Sequence, residues 1–327
     1  MVEYTRLGSS GLKISRIVLG CMSFGLPGTG RDWTLDDEAS EPIFRQAVEL
    51  GITFWDTANV YGRGTSEEIV GRAIKKYTAR ENVVLATKIF WPMHGGPGGG
   101  GLSRRAVVEQ VDACLARLDT DYVDLLQIHR FDPDTPVKET MEALHDVVKA
   151  GKARYLGASS MWAWRFAKLQ HTADTHGWTR FVSMQDQYSL IQREEEREMF
   201  GLLADQGVGS LPWSPLAAGL VTRPWGERST TRAESNPTTD MFGRPLFHDS
   251  DEAIVDAVQR IAEARGVPMA QIALAWVLKN PVVSAPIVGA TRPHHLADAV
   301  AALDVHLTDP EVAALEQHYT PRLPTYF

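Results

Sequence analysis

Residues 53–88 read TFWDTANVYGRGTSEEIVGRAIKKYTARENVVLATK. The stretch runs from a short apolar segment through a polar loop and an amphipathic segment to a second apolar segment. Thr53–Asp56 and Val83–Lys88 have strand length. Between them, SEEIVGRAIKKY predicts a helix with Ser66 as its N-cap and acids in the first turn. The strands are apolar throughout rather than alternating, as parallel strands covered on both faces are. Each also closes on an ionisable residue, Asp56 and Lys88.

The same unit repeats in both directions. Upstream, Arg16–Gly20 reads as a strand. Asp36–Leu50 then carries Ile43, Phe44, Ala47 and Leu50 at helical spacing. Downstream, Ser103 caps a helix through Leu118, Tyr122–His129 is a strand, and Pro136–Ala150 is a helix ending at Gly151. Arg154–Ser159, Ser183–Ser189, Gly209–Ser214 and Ser284–Gly289 are further strands. Helices are expected near Trp162–Thr175, Glu194–Gln206, Asp251–Arg265 and Met269–Asn280. Eight strands, most followed by helices, predict an α/β fold, a (β/α)8 TIM barrel. A doubly wound sheet is the alternative. It would usually carry a Gly-rich fingerprint after its first strand, and GCMSFG lacks that spacing.

Three segments stand apart. Tyr4–Ser15 alternates polar and apolar residues around Ser9–Gly11, which predicts a short N-terminal β-hairpin. Thr222–Ser250 is polar, rich in Pro, Arg and Thr, and too long for an ordinary connection, so it reads as a functional loop. Gly95–Gly101 lacks the Lys-Ser/Thr of a phosphate-binding loop and reads as a strand-to-helix connection. No linker divides the chain, so residues 1–327 are expected to form one domain.

Bulk composition narrows the function. Hydrophobic residues at 44% and charged residues at 23% suit a soluble globular protein. A net charge of −8 argues against a large nucleic-acid footprint. Cys21 and Cys114 lie far apart and have no neighbouring ligand pairs, so neither a disulfide framework nor a zinc site is expected. There is no apolar leader and no run approaching 18 apolar residues, so a cytoplasmic protein without a membrane partner is expected. A monomer and a homo-oligomer both stay open.

In such barrels chemistry sits at the C-terminal ends of the strands. Asp56, Lys88 and His129 close successive strands, and Tyr61 lies in the loop after Asp56. Taken singly, they have ordinary uses: a turn cap, a solvated strand end, a core histidine and a packing ring. Neighbouring strands lie ~4.8 Å apart, so together the four converge on one rim. A phenol, with a reference pKa of ~10, is a poor acid at neutral pH, and an adjacent ammonium favours its phenolate. Asp56 would hold that ammonium in place, and His129 would donate to a carbonyl oxygen or share in proton transfer. Such a set polarises a carbonyl and protonates the developing alkoxide. None of these residues can supply a hydride, so a cofactor is required.

At this point the motifs FWDTANVYGRGTSEEIVGRAI, VVLATK and YVDLLQIHR, in order, resemble those of the aldo-keto reductases. These are NAD(P)H-dependent oxidoreductases on a (β/α)8 barrel, and the resemblance covers essentially the whole chain. KARYLGASSMWAW and MQDQYSLIQREEEREM are most similar to the branch holding aryl-alcohol dehydrogenases and potassium-channel β-subunits. The resemblance implies Tyr61 as general acid, with Asp56, Lys88 and His129 completing its site. It implies that Ser159 and Gln185 hold the nicotinamide carboxamide, with Ser160 where many members have Asn. Trp213 would stack on the nicotinamide, and Ser214, Pro215, Leu216 and Gly219 would bind the diphosphate. Gly289, Thr291 and Arg292 match the segment holding the adenosine 2′-phosphate. His295 stands where a Gln usually contacts adenine, and Ala299 where an Asn is common. Thr291-Arg292-Pro293 precedes a helical pattern, so a helix N-terminus, a hydroxyl and a guanidinium favour NADPH over NADH.

Aromatic residues in rim loops, Trp33, Phe90 and Trp91 with Phe131 as a further candidate, predict a pocket for an aromatic or hydrophobic carbonyl substrate. The loop after Trp213 is expected to fold over the cofactor, and the tail Pro321–Phe327 to close over the site or sit at an interface. Two other functions compete with a carbonyl reductase: a nucleotide-binding regulatory subunit with little turnover, and a barrel isomerase or lyase without a redox cofactor. The Asp56, Tyr61, Lys88 and His129 set favours the reductase.

Overall fold

The computed structural model describes the chain except residues 1, 27, 30–32, 228–237, 241 and 326–327. Among the described residues, eight parallel strands curl into one sheet: β3 (Val18–Gly20), β4 (Phe54–Asp56), β5 (Val84–Ile89), β6 (Val123–Ile128), β7 (Ala153–Ser159), β8 (Phe181–Gln185), β9 (Gly209–Ser210) and β10 (Ile287–Gly289). They pair in chain order, and β10 lies beside β3. The remaining seam closes where Ser210 bridges to Val283 and the Ile287 amide donates to Pro212 O at 2.8 Å. The result is a closed (β/α)8 barrel. The N-terminal hairpin, β1 (Tyr4–Arg6) with β2 (Lys13–Ser15), is antiparallel. Its Leu7 and Ile14 join Val18, Phe54, Ala86, Leu125 and Leu211 in an apolar cluster, while the larger core lies between strands and helices.

Several boundaries differ from expectation, each for a local reason. The helix after β4 begins at Thr65, and Ser66 does not cap it. Gly62, Arg63 and Gly64 take left-handed dihedrals and turn the chain straight into the helix. The Ser66 hydroxyl instead donates to Cys21 O at 2.8 Å and meets Thr57 Oγ1 at 2.9 Å. The last strand starts at Ile287 rather than Ser284, since Pro286 has no N–H for the ladder. The ladder of β9 ends at Ser210, and beyond it Trp213 forms an isolated bridge to Gln187, its amide donating to Asp186 O at 2.7 Å. Strand β8 runs over Phe181–Gln185 rather than Ser183–Ser189. The helix expected over Glu194–Gln206 divides into a single turn at Glu194–Glu196 and a helix over Met199–Gln206.

Ser103 does cap its helix, accepting from the Ala106 amide at 3.3 Å, and Asp251–Arg265 is helical as expected. No helix among the described residues is long and apolar enough to cross a membrane.

Candidate active site

The loop after β4 is laced along β5. The Thr57 amide donates to Ala86 O at 2.9 Å, and the Asn59 amide to Lys88 O at 3.1 Å. That lacing carries Tyr61 back over the end of β5. Gly62 then turns at φ +53°, where a Cβ would lie 2.5 Å from Thr65 Oγ1, so a side chain there would displace the loop.

Four residues converge at this rim. Lys88 Nζ donates to Asp56 Oδ2 at 2.5 Å, to Thr57 O at 2.8 Å and to the Tyr61 hydroxyl at 3.2 Å. All three ammonium hydrogens therefore have partners. Lys88 is fully buried and Asp56 nearly so. Burial opposes the ammonium, but the charge of Asp56 and the contact with Tyr61 outweigh it, so the Lys88 pKa lies above its ordinary value. His129 meets the Tyr61 ring edge-on at 5.9 Å. Its Nδ1 is buried and has no hydrogen-bonding partner among the described residues. Burial first, then the charges of Lys88 and Arg130, hold its pKa well below the usual histidine value. The imidazole is therefore neutral near pH 7, with one proton to donate.

Asp56, Tyr61 and His129 open on a cavity of about 1230 Å³. That exceeds what a small substrate needs and leaves room for a dinucleotide beside one. Ser159, Gln185, Trp213, Ser214, Pro215, Leu216 and Gly219 line it, as do Gly289, Thr291, Arg292 and His295. Ser159 donates its hydroxyl to Gln185 O at 2.9 Å. Ser160 does not line the cavity. It is buried, and its hydroxyl accepts from the Trp213 indole at 3.0 Å, fixing the ring's tilt.

After Trp213 the backbone takes positive φ at Ser214, Ala217, Ala218 and Gly219. The result is a tight curl against the cavity, in which the Ala217 amide donates to Ser214 O at 2.9 Å and the Gly219 amide to Leu216 O at 2.8 Å. Arg223 and Arg292 add positive charge to the lining. A flat indole, a tight backbone curl and two guanidiniums on one cavity are groups that a dinucleotide fits. His295 also serves the backbone, its Nδ1 accepting from the Thr291 amide at 3.3 Å.

Of the expected substrate contacts, Trp33 and Trp91 line the cavity. Phe90 and Phe131 do not. Phe90 packs against the core with its edge to Trp91 at 5.1 Å, and Phe131 lies against Trp164. The long loop contributes Leu246 and Phe247 to the wall, an apolar pair in a polar stretch. Its residues 228–237 and 241 lie outside the described residues. In the tail, Thr325 is buried and its hydroxyl bonds Gln187, while Arg322 pairs with buried Asp251 at 2.5 Å. Tyr326 and Phe327 lie outside the described residues. The sequence reading missed Gln127, Arg223 and the Leu246–Phe247 pair. A polar residue inside the apolar run of β6 was the available signal for Gln127.

The aldo/keto reductase family model matches residues 16–320. The chain is 46% identical to a versiconal hemiacetal acetate reductase of Aspergillus parasiticus over 339 residues, covering 98% of each protein. It is 43% identical to an aldo-keto reductase of Metarhizium robertsii, covering 98% of this chain and 92% of the relative. It is 40% identical to a Saccharomyces cerevisiae protein named provisionally as an aryl-alcohol dehydrogenase, covering 98% of each. The chain belongs to the aldo/keto reductase family, oxidoreductases of carbonyl reduction.

Proposed function

We propose that the protein reduces an aldehyde or ketone to its alcohol in the cytoplasm, with NADPH as reductant and Tyr61 as proton donor. The observation that carries this reading is the Tyr61 hydroxyl 3.2 Å from the buried Lys88 ammonium, at a cavity edge shared with a neutral His129. A bound nicotinamide supplies the hydride. Trp213, Ser159 and Gln185 hold its ring and carboxamide, and the curl from Ser214 to Gly219 takes the diphosphate. Arg292, beside the helix at His294–Ala301, takes the 2′-phosphate.

His129 donates a hydrogen bond to the substrate oxygen and polarises it. Tyr61 gives its proton to that oxygen as the alkoxide forms. Lys88 stabilises the phenolate left behind, and Asp56 keeps Lys88 charged and aimed. Trp33 and Trp91 favour a flat, apolar carbonyl substrate. The relatives named for a hemiacetal acetate and for aryl alcohols support that class.

The test is cofactor preference joined to an oxidation screen across aromatic aldehydes, ketones and sugars. NADPH is expected to bind more tightly than NADH, and Arg292→Ala to cut that preference by roughly tenfold or more, the worth of a charge-assisted hydrogen bond. Equal affinities in the native protein would overturn the cofactor assignment.

A further inference from the structure

The buried ion pair is continued by two glutamines. Gln127, on β6, donates from Nε2 to Asp56 Oδ1 at 2.8 Å. Gln185, ending β8, donates from Nε2 to the same oxygen at 3.0 Å and to Gln127 Oε1 at 3.0 Å. Both glutamines are buried. Asp56 and Gln185 belong to strands four places apart in the ring, so they face each other across the barrel. Gln127 spans that gap. Space for it comes from Gly157, its register partner on β7, where a Cβ would lie 3.0 Å from Gln127 Cγ and 2.5 Å from Ser183 Oγ.

The chemistry fixes both amides. A carboxylate only accepts, so each glutamine must turn its nitrogen toward Asp56. Gln127 then has one oxygen left, and it accepts the second hydrogen of Gln185 Nε2. Both hydrogens of Gln185 are thereby used. Its remaining polar atom is Oε1, an acceptor, and Gln185 lines the cofactor cavity. Without Gln127 Oε1, one Gln185 hydrogen would be unspent in a buried site, and the single remaining bond to Asp56 would leave the amide free to rotate about it.

We infer that Gln127 is a positioning residue. It fixes the Gln185 amide so that a carbonyl oxygen is offered to the N–H groups of the nicotinamide carboxamide, and it ties that contact to the Asp56–Lys88 pair. The inference rests on the cofactor reading above and says which residue sets the carboxamide's orientation.

The test compares binding of NADPH with binding of its reduced 3-acetylpyridine analogue, in which a methyl replaces the carboxamide nitrogen. Affinities are measured by fluorescence titration of the intact protein. The native protein is expected to prefer NADPH roughly fivefold to tenfold, the worth of one hydrogen bond. Gln127→Met keeps the side chain's length but has neither amide donor nor acceptor, and its preference is expected to fall to within about twofold.

Gln127→Glu supplies a second readout. When protonated, its carboxyl reproduces both bonds, donating to Asp56 and accepting from Gln185. When ionised, it repels Asp56. Its preference for NADPH is therefore expected to decline with rising pH, while that of the native protein stays flat. This arm also serves if Gln127→Met fails to fold. A full preference in Gln127→Met, or a pH-independent one in Gln127→Glu, would overturn the inference. No NADPH binding by the native protein would overturn the cofactor reading, and this inference with it.

Discussion

Two aspartates sit at the ends of strands in this barrel, both buried, and their surroundings are opposite. Asp56 ends β4 and receives an ammonium at 2.5 Å and two amide donors. Asp186, immediately after β8, has one distant hydroxyl, Ser210 Oγ at 3.5 Å, and its Oδ1 has no partner among the described residues. Burial pushes the Asp186 carboxyl up to about 8. Burial also raises Glu195 well above the usual carboxylate range, with the neighbouring carboxyls of Asp186 and Glu194 adding to it. The difference lies in what each carboxyl was given. A buried carboxylate remains charged only if cations and N–H donors replace the water it loses, and otherwise it keeps a proton. The barrel places donors where Tyr61 needs a charged neighbour and withholds them four strands away, across the ring.

The largest expected effect comes from breaking the first arrangement. Asp56→Asn leaves the Lys88 ammonium buried without its counter-charge and unsettles the donor pattern of Gln127 and Gln185. Turnover is expected to fall by about 10²–10⁴, the range for a disabled proton-transfer site. Unfolding free energy should drop by about 3–5 kcal/mol, as when one partner of a buried pair is removed. Steady-state kinetics and urea titration read the two effects. Loss of less than about tenfold in turnover would show that the charge on Asp56 is not what Lys88 requires.

A smaller effect sharpens the other side. The folded state keeps a proton on Asp186 that the unfolded chain releases above its ordinary value of 3.8. Between about pH 4 and pH 8 the folded state therefore binds more protons, and stability contributed by this group falls as pH rises. It is fully present below the unfolded pKa and is lost as pH climbs through the folded one. Asp186→Asn should flatten that decline in urea midpoints while leaving turnover near the native level. An unchanged slope would mean that Asp186 is already ionised in the fold.

The sequence made some of this contrast legible. Asp56, Lys88 and His129 close apolar runs, so their meeting at one rim followed from strand spacing and the barrel's topology. The barrel itself was readable from strands that are apolar throughout and a Gly-rich fingerprint that is missing. Other features depend on three-dimensional neighbours that periodicity does not encode. Ser66 has the chemistry of a cap, yet left-handed backbone at Gly62–Gly64 moves the cap two residues earlier, to Gly64, and frees Ser66 to bind Cys21 O. Phe90 is aromatic and follows Ile89, but it packs inward while Trp91 lines the cavity. Asp186 and Glu195 look like any acids in the chain, since a retained proton reflects missing partners. Gln127 was visible only as a polar residue in an apolar strand, and its role required the positions of Asp56 and Gln185.

The central claim is that Tyr61 supplies the proton beside Lys88. Tyr61→Phe keeps the ring against His129 and removes only the hydroxyl. Single-turnover oxidation of bound NADPH by an aromatic aldehyde, measured beside NADPH affinity, tests this most directly. The account predicts a rate loss of at least about 100-fold, with affinity within about twofold of native. A rate within a few-fold of native would contradict it.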